Sequence, residues 1–227
     1  MIPFADATAL DAQLAHDIAD ALRAAIAARG AACLAVSGGS TPRGMFRRLA
    51  DEALDWSRVT ITLVDDRWVE ADASDSNARL LRETLLSGPA AAATFVPLVD
   101  AALTPDAGLA AATARLAMVP WPLDVALLGM GNDAHTASLF PCADETAALL
   151  DAACRARLGI VHPRTAAHAR ITLTLPAIAA ARQVWLHIVG DGKRAVLENA
   201  RSGGSLPVAR VLAAAGDKGR IYWTAHA

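Results

Sequence analysis

The sequence is poor in the residues that would announce several large classes of protein. Cysteine occurs three times in 227 residues, at Cys33, Cys142 and Cys154. An odd count without a C-x-x-C pair supports neither a disulfide framework nor a zinc ribbon. No apolar run approaches the roughly 18 residues of a membrane span, although hydrophobic residues make up 54% of the chain. Much of that apolarity is alanine, which favours helix but leaves little side chain to bury. The opening MIPFADATALDAQ shows no basic segment running into an apolar one. No secretory signal is therefore visible, and a cytoplasmic location is expected. Neither sign of charge is in excess: 21 Lys and Arg stand against 23 Asp and Glu. A near-neutral chain is not built around nucleic acid or an anionic membrane surface. An anion site would have to concentrate positive charge locally. Aromatic residues amount to 4%, and the five tryptophans are scattered, so no base-stacking platform is indicated. The P-loop spacing G-x-x-x-x-G-K-[ST] is missing, as is the nucleophile elbow G-x-S-x-G. Repeats, low-complexity tracts and long linkers are absent too, and a single domain over 1–227 is expected.

What is present is an alternation of strand and helix. Leu10, Leu14, Ile18, Leu22 and Ile26 recur every fourth residue and predict a helix over 6–29 ending at Gly30, with Asp11, Asp17, Asp20 and Arg23 off the apolar stripe. Strands are predicted at 33–36, 59–64, 95–99, 124–129, 159–161, 171–175, 184–190 and 220–224. The proline within FVPLV (95–99) points to a sheet edge. Helices are expected from Pro42 to about residue 53, from Asn77, and near 106–118, 176–182, 192–201 and 207–215; residues 65–77 read as a polar loop. Continuous apolar strands separated by helices imply a doubly wound, mostly parallel α/β sheet, Rossmann-like, with helices on both faces and room for a small appended subdomain.

Ligands bind such sheets at the carboxyl ends of the strands. The first such loop is SGGSTP (37–42). Gly38 and Gly39 permit close backbone approach, Thr41 suits an N-cap and Pro42 the first helical position. Backbone N–H groups with the hydroxyls of Ser37, Ser40 and Thr41 at a helix start suit a phosphate; a well-capped tight turn explains the same residues. Asp65, Asp66 and Arg67 end the second strand. They suit a sugar hydroxyl, or simply a solvated ion pair. The third loop, GMGNDAHTASLFP (129–141), combines Gly129 and Gly131 with Asp133 and His135. An imidazole titrates near neutral pH and serves as a general base, with Asp133 to orient it. No third ligand stands at metal-site spacing, so no metal is expected. The match of 129–134 to G-x-G-x-x-A lacks the acidic residue about 20 positions on that ribose binding requires. Arg170 and Lys193 begin and follow late strands and offer mobile positive charge. His16, His162, His168, His187 and His226 have no motif around them and read as structural.

Taken in order, SGGSTP, DDR-x-V with Asp75, Ser76 and Asn77, G-x-G-x-D-x-HTASLFP, R-x-T-x-T, G-x-x-K and LPVARVL resemble the glucosamine-6-phosphate isomerase/6-phosphogluconolactonase family, and its lactonase branch in particular. HTASLFP is the most specific of these; the isomerases are expected to read GHIAFNEP there. The chain departs from the family's usual pattern at Asp66 (usually Glu), Ala134 (usually Gly) and Thr224 (usually acidic). The resemblance implies hydrolysis of 6-phospho-D-glucono-1,5-lactone to 6-phosphogluconate, with no cofactor, no metal and no obligatory protein partner. SGGSTP, Arg170 and Lys193 would cradle the phosphate and His135 would activate water. Asp133 would orient His135 or a sugar hydroxyl, and Arg67 or the glycine N–H groups would receive the developing oxyanion. Competing expectations are an isomerase of the same group, a non-catalytic sugar-phosphate sensor, and a nicotinamide oxidoreductase resting on G-x-G-x-x-A alone.

Overall fold

The structure, a computed structural model, describes residues 1–226. The chain opens with β1 (Ile2–Phe4), α1 (Ala7–Arg29), β2 (Ala32–Val36) and α2 (Arg43–Ala50), followed by β3 (Val59–Leu63), β4 (Asp65–Arg67), α3 (Asn77–Thr84) and β5 (Thr94–Val96). Next come α4 (Pro105–Leu116), β6 (Val125–Leu128), α5 (Thr146–Leu149), β7 (Leu158–Val161) and β8 (Arg170–Leu173). The chain continues through α6 (Leu175–Ala179), β9 (Gln183–Val189), α7 (Asp191–Gly203), α8 (Pro207–Ala215) and β10 (Gly219–Thr224).

Seven strands pair in the order β1-β10-β9-β6-β2-β3-β5, every pair parallel. The chain lays β3 and β5 on one side of β2, then returns to place β6 on the other. The boundary between β2 and β6 is thus the switch point at which such sheets open a crevice. All residues of β2 and β6 are buried, which is why both read as unbroken apolar runs. β5 stops at Val96, before Pro97, at the sheet edge.

Helix α1 begins where Asp6 accepts the N–H of Ala9 and ends where Gly30 donates to the carbonyl of Ile26. Leu10, Leu14, Ile18 and Leu22 are fully buried. Asp11 and Asp17 do not stand apart from that face as expected. They turn toward the sheet, Asp17 accepting the Tyr222 hydroxyl at 2.6 Å and Asp11 lying 3.6 Å from His187. Since His187 and Tyr222 are register partners, α1 covers this side of β9 and β10. Helices α7 and α8 pack on β9 as well, against the side chains that alternate with these.

Several features differ from the sequence-based expectation, which also has no counterpart for β1 and α5. Asp65–Arg67 is a strand, β4, rather than loop; it pairs antiparallel with β8, and β8 with β7, in a separate three-stranded sheet. Residues 159–161 and 171–175 therefore leave the parallel sheet. This small sheet takes the place of an appended subdomain, yet Leu158, Ile160, Ile171 and Leu173 join the main hydrophobic core, and the Leu173 N–H donates to Val64 at 2.7 Å. Finally, Thr41 does not cap α2: Pro42 holds the N-cap position and no side chain caps the helix. A pre-set proline φ and the turn Arg43 N–H to Ser40 O start the helix instead.

Candidate active site

A cavity of about 230 Å³ opens at the carboxyl ends of β2, β6 and β9. The whole SGGSTP loop, residues 37–42, forms one wall. Ser37 pins it to the switch point, its N–H donating to Leu127 and its Oγ accepting the N–H of Gly129 at 3.2 Å. At Gly38 any Cβ would collide with the Asn77 carboxamide, so glycine there is a requirement of packing. Lys193, in the first turn of α7, also lines the cavity, and its Nζ donates to the Met130 carbonyl at 2.7 Å. Burial holds its pKa below the ordinary lysine value, opposed by the charge of Asp133.

The loop after β6 presents His135. Asp133 Oδ1 bonds its Nδ1 at 2.6 Å and accepts its backbone N–H at 3.2 Å, while the Phe140 ring stacks beneath the imidazole with centroids 4.0 Å apart. Nε2 has no hydrogen-bond partner among the described residues, and His135 lines the cavity. A Cβ on Gly131 would strike the imidazole. The turn closes through Gly131 N–H to His135 O, Ala134 N–H to Gly131 O and Thr136 Oγ1 to Gly129 O. Ala134 takes a left-handed φ of 63°, so the departure from glycine leaves the turn in place. The N–H of Val208, in the first turn of α8, donates to the Ala134 carbonyl, which gives LPVARVL a part in holding this loop.

On the remaining side stand Asp65, Arg67 and Asn77. Asp65 is buried and accepts the Ser138 hydroxyl at 2.6 Å. Arg67 donates to Asn77 Oδ1 and to the Asp75 carbonyl. Asp66 points elsewhere. Buried, it accepts the N–H groups of Arg67, Asn77 and Ala78 and so serves the start of α3; burial pushes its pKa up to about 6 against those hydrogen bonds.

Of the thirteen residues singled out for substrate or catalysis, eleven line this cavity. Asp133 does not, but bonds the ring that does. Arg170 does not either: it is buried beside Arg67 on the paired strand, 5.7 Å from the Phe140 ring, with Nε unpartnered, and burial lowers its pKa. Two polar wall residues were not singled out for the site. Asn77 was read as a helix start and as part of the motif behind the resemblance, with no role in the site. His187 was read as structural, yet it lines the cavity with both ring nitrogens unpartnered and a pKa pushed down to about 4 by burial. A lone polar residue near the carboxyl end of the apolar VWLHIVG was the available signal. Residues 129–134 open no helix, so G-x-G-x-x-A lacks the strand-to-helix setting of a dinucleotide site.

Fold and cavity together define a class: a doubly wound α/β protein whose switch-point crevice joins an anion-suited loop and ammonium to an imidazole held by a carboxylate. Comparison with known proteins narrows it. Residues 5–223 match the family model described as glucosamine-6-phosphate isomerases/6-phosphogluconolactonase. A 6-phosphogluconolactonase of Rhizobium meliloti (strain 1021) is 44% identical over 223 residues, covering 97% of this chain and 96% of that one. One from Pseudomonas putida is 44% identical over 219 residues, with coverage of 96% and 90%. The crystal structure of a 6-phosphogluconolactonase from Shewanella baltica OS155 superposes with a TM-score of 0.92 at 43% identity, covering 99% and 96%. The chain belongs to the glucosamine-6-phosphate isomerase/6-phosphogluconolactonase family. Among the described residues no helix is long and apolar enough to cross a membrane.

Proposed function

We propose that this chain is a lactonase hydrolysing 6-phospho-D-glucono-1,5-lactone to 6-phospho-D-gluconate, in the oxidative branch of the pentose phosphate pathway. One observation carries the reading: an imidazole fixed by Asp133, with Nε2 unpartnered among the described residues, shares its cavity with the SGGSTP loop and Lys193. The near full-length likeness to 6-phosphogluconolactonases supports the same choice over an isomerase. The whole chain acts as one lactonase domain.

The phosphate sits against the backbone N–H groups of residues 38–41 and the hydroxyls of Ser37, Ser40 and Thr41, with Lys193 as counter-charge; Arg170, register partner of Arg67 across β4 and β8, adds longer-range positive potential. His135 Nε2 takes a proton from water as the water oxygen attacks the lactone carbonyl carbon. Asp133 stabilises the resulting imidazolium. Arg67 faces the oxyanion, because the N–H groups of Gly129 and Gly131 are already given to Ser37 Oγ and to the His135 carbonyl. When the bond from carbonyl carbon to ring oxygen breaks, the imidazolium returns the proton to that oxygen, which leaves as the sugar hydroxyl. Asp65 holds a sugar hydroxyl, and no step calls for a metal or cofactor. A cytoplasmic setting, supported by three free thiols, completes the reading.

The test is hydrolysis of freshly generated 6-phosphogluconolactone, coupled to 6-phosphogluconate dehydrogenase and corrected for the spontaneous rate, with unphosphorylated gluconolactone run in parallel. A large excess rate for the phosphorylated lactone is expected, lost in His135→Ala while 6-phosphogluconate still binds. No excess rate, or an undiminished one in His135→Ala, overturns the assignment.

A further inference from the structure

Ser138 plays no part in the chemistry above, although it belongs to the same loop as His135. Both Ser138 and Asp65 are buried. Ser138 Oγ donates to Asp65 Oδ2 at 2.6 Å, a length typical of a charge-assisted hydrogen bond. The Ser138 N–H donates to Thr172 Oγ1 at 3.1 Å, and Thr172 is the register partner of Asp65 across β4 and β8. Ser138 therefore grips the antiparallel pair twice, once through its backbone and once through its side chain. Asp65 is held from its other end as well, since Asn77 Nδ2 donates to its carbonyl at 2.9 Å. Of the carboxylate oxygens, Oδ2 is taken. Oδ1 has no hydrogen-bond partner among the described residues, and Asp65 lines the cavity.

We infer that Ser138 is a positioning residue that locks the Asp65 carboxylate so that Oδ1 accepts a hydroxyl of the sugar chain, making hydroxyl recognition separable from phosphate recognition. The inference rests on the lactonase reading for the identity of the sugar. The geometry behind it is a carboxylate with one oxygen committed to a buried donor and the other left for the ligand. An immobilised acceptor costs no reorganisation when the substrate arrives, whereas a carboxylate free to rotate would lose that advantage. The same serine ties the His135 turn to the small sheet, so base and hydroxyl acceptor are spaced by one rigid segment.

The experiment compares binding of 6-phosphogluconate with binding of inorganic phosphate, by calorimetry, in the wild-type chain, Ser138→Ala, Asp65→Ala and the double variant. Inorganic phosphate probes the anion cradle alone. In Ser138→Ala the affinity for 6-phosphogluconate is expected to fall about 10- to 100-fold, the range for losing a charge-assisted hydrogen bond, with inorganic phosphate unchanged within about twofold. The double variant is expected to be no worse than Asp65→Ala, because the serine acts only through the carboxylate. Additive losses, a parallel loss of phosphate binding, or undiminished 6-phosphogluconate binding would each overturn the inference. Should Ser138→Ala fail to fold, Ser138→Cys, similar in size and a weak donor, carries the same comparison. If the wild-type chain shows no lactonase excess yet prefers 6-phosphogluconate over phosphate, and Ser138→Ala abolishes that preference, the lactonase reading falls and this inference stands.

Discussion

Ala134 precedes His135 with a φ of 63°, a region where a side chain with a Cβ costs roughly 1–2 kcal/mol. The turn keeps this conformation because its neighbours impose it: Ala134 N–H is tied to Gly131, its carbonyl to the N–H of Val208, and the Cβ itself is buried. Ala134→Gly relieves that strain while adding some freedom to the unfolded chain. We expect a gain of about 1 kcal/mol or less in unfolding free energy, with His135 undisturbed and lactonase turnover retained, as urea denaturation and the coupled assay would show. A loss of stability would mean that burial of the alanine methyl outweighs the strain. At this scale much of the site was legible: an acid and an imidazole two positions apart, after an apolar strand and two glycines, name their own chemistry. Asn77 and His187 were not. Their role comes from what packs against them, Gly38 in one case and Asp11 of α1 in the other, and neither neighbour is near in sequence.

Elements carry the same lesson with a different cause. The strands of the parallel sheet were legible because both faces are covered and apolar runs result. β4 was not, since Asp-Asp-Arg reads as polar loop; the buried carboxylates satisfied by Ser138 and by the start of α3 are visible only once the fold is assembled. β1, three residues at the sheet edge, is too short to show a period. Helix α1 offers a measurable consequence. Its Asp11 is pressed between His187 and Gly44, and burial raises its pKa to about 6, opposed by Arg48. Because the folded state holds this proton more tightly than the unfolded chain, the group's contribution to stability falls as pH rises from about 4 to about 6 and stays low above. Asp11→Asn removes the buried charge. The variant is expected to match wild type near pH 4 and to exceed it above pH 6 by on the order of 1–3 kcal/mol, read from chemical unfolding across that range. A variant less stable than wild type at pH 7 would show instead that Arg48 and the start of α2 more than offset the desolvation of Asp11.

Across the whole molecule, the cavity is where elements distant in sequence meet. Its walls come from the carboxyl ends of β2, β6 and β9, from β4 of the small sheet, and from the starts of α3 and α7. Both sheets share one hydrophobic core, so a ligand bridging these walls is linked to the unfolding of the entire chain. A ligand that binds only the folded state stabilises it by mass action, about 2.7 kcal/mol at a hundredfold excess over Kd. For a chain of this length that corresponds to a rise in Tm of about 5–10 °C. We expect 6-phosphogluconate to produce a single, uniformly shifted transition, and Lys193→Met to lose most of the shift at equal ligand concentration. The lysine is informative because it is already part of the folded wall through the Met130 carbonyl: removing it costs ligand affinity far more than basal stability. Two transitions, with only one moved by ligand, would contradict the continuity of the core. An undiminished shift in Lys193→Met would transfer the phosphate's counter-charge to Arg67 and Arg170.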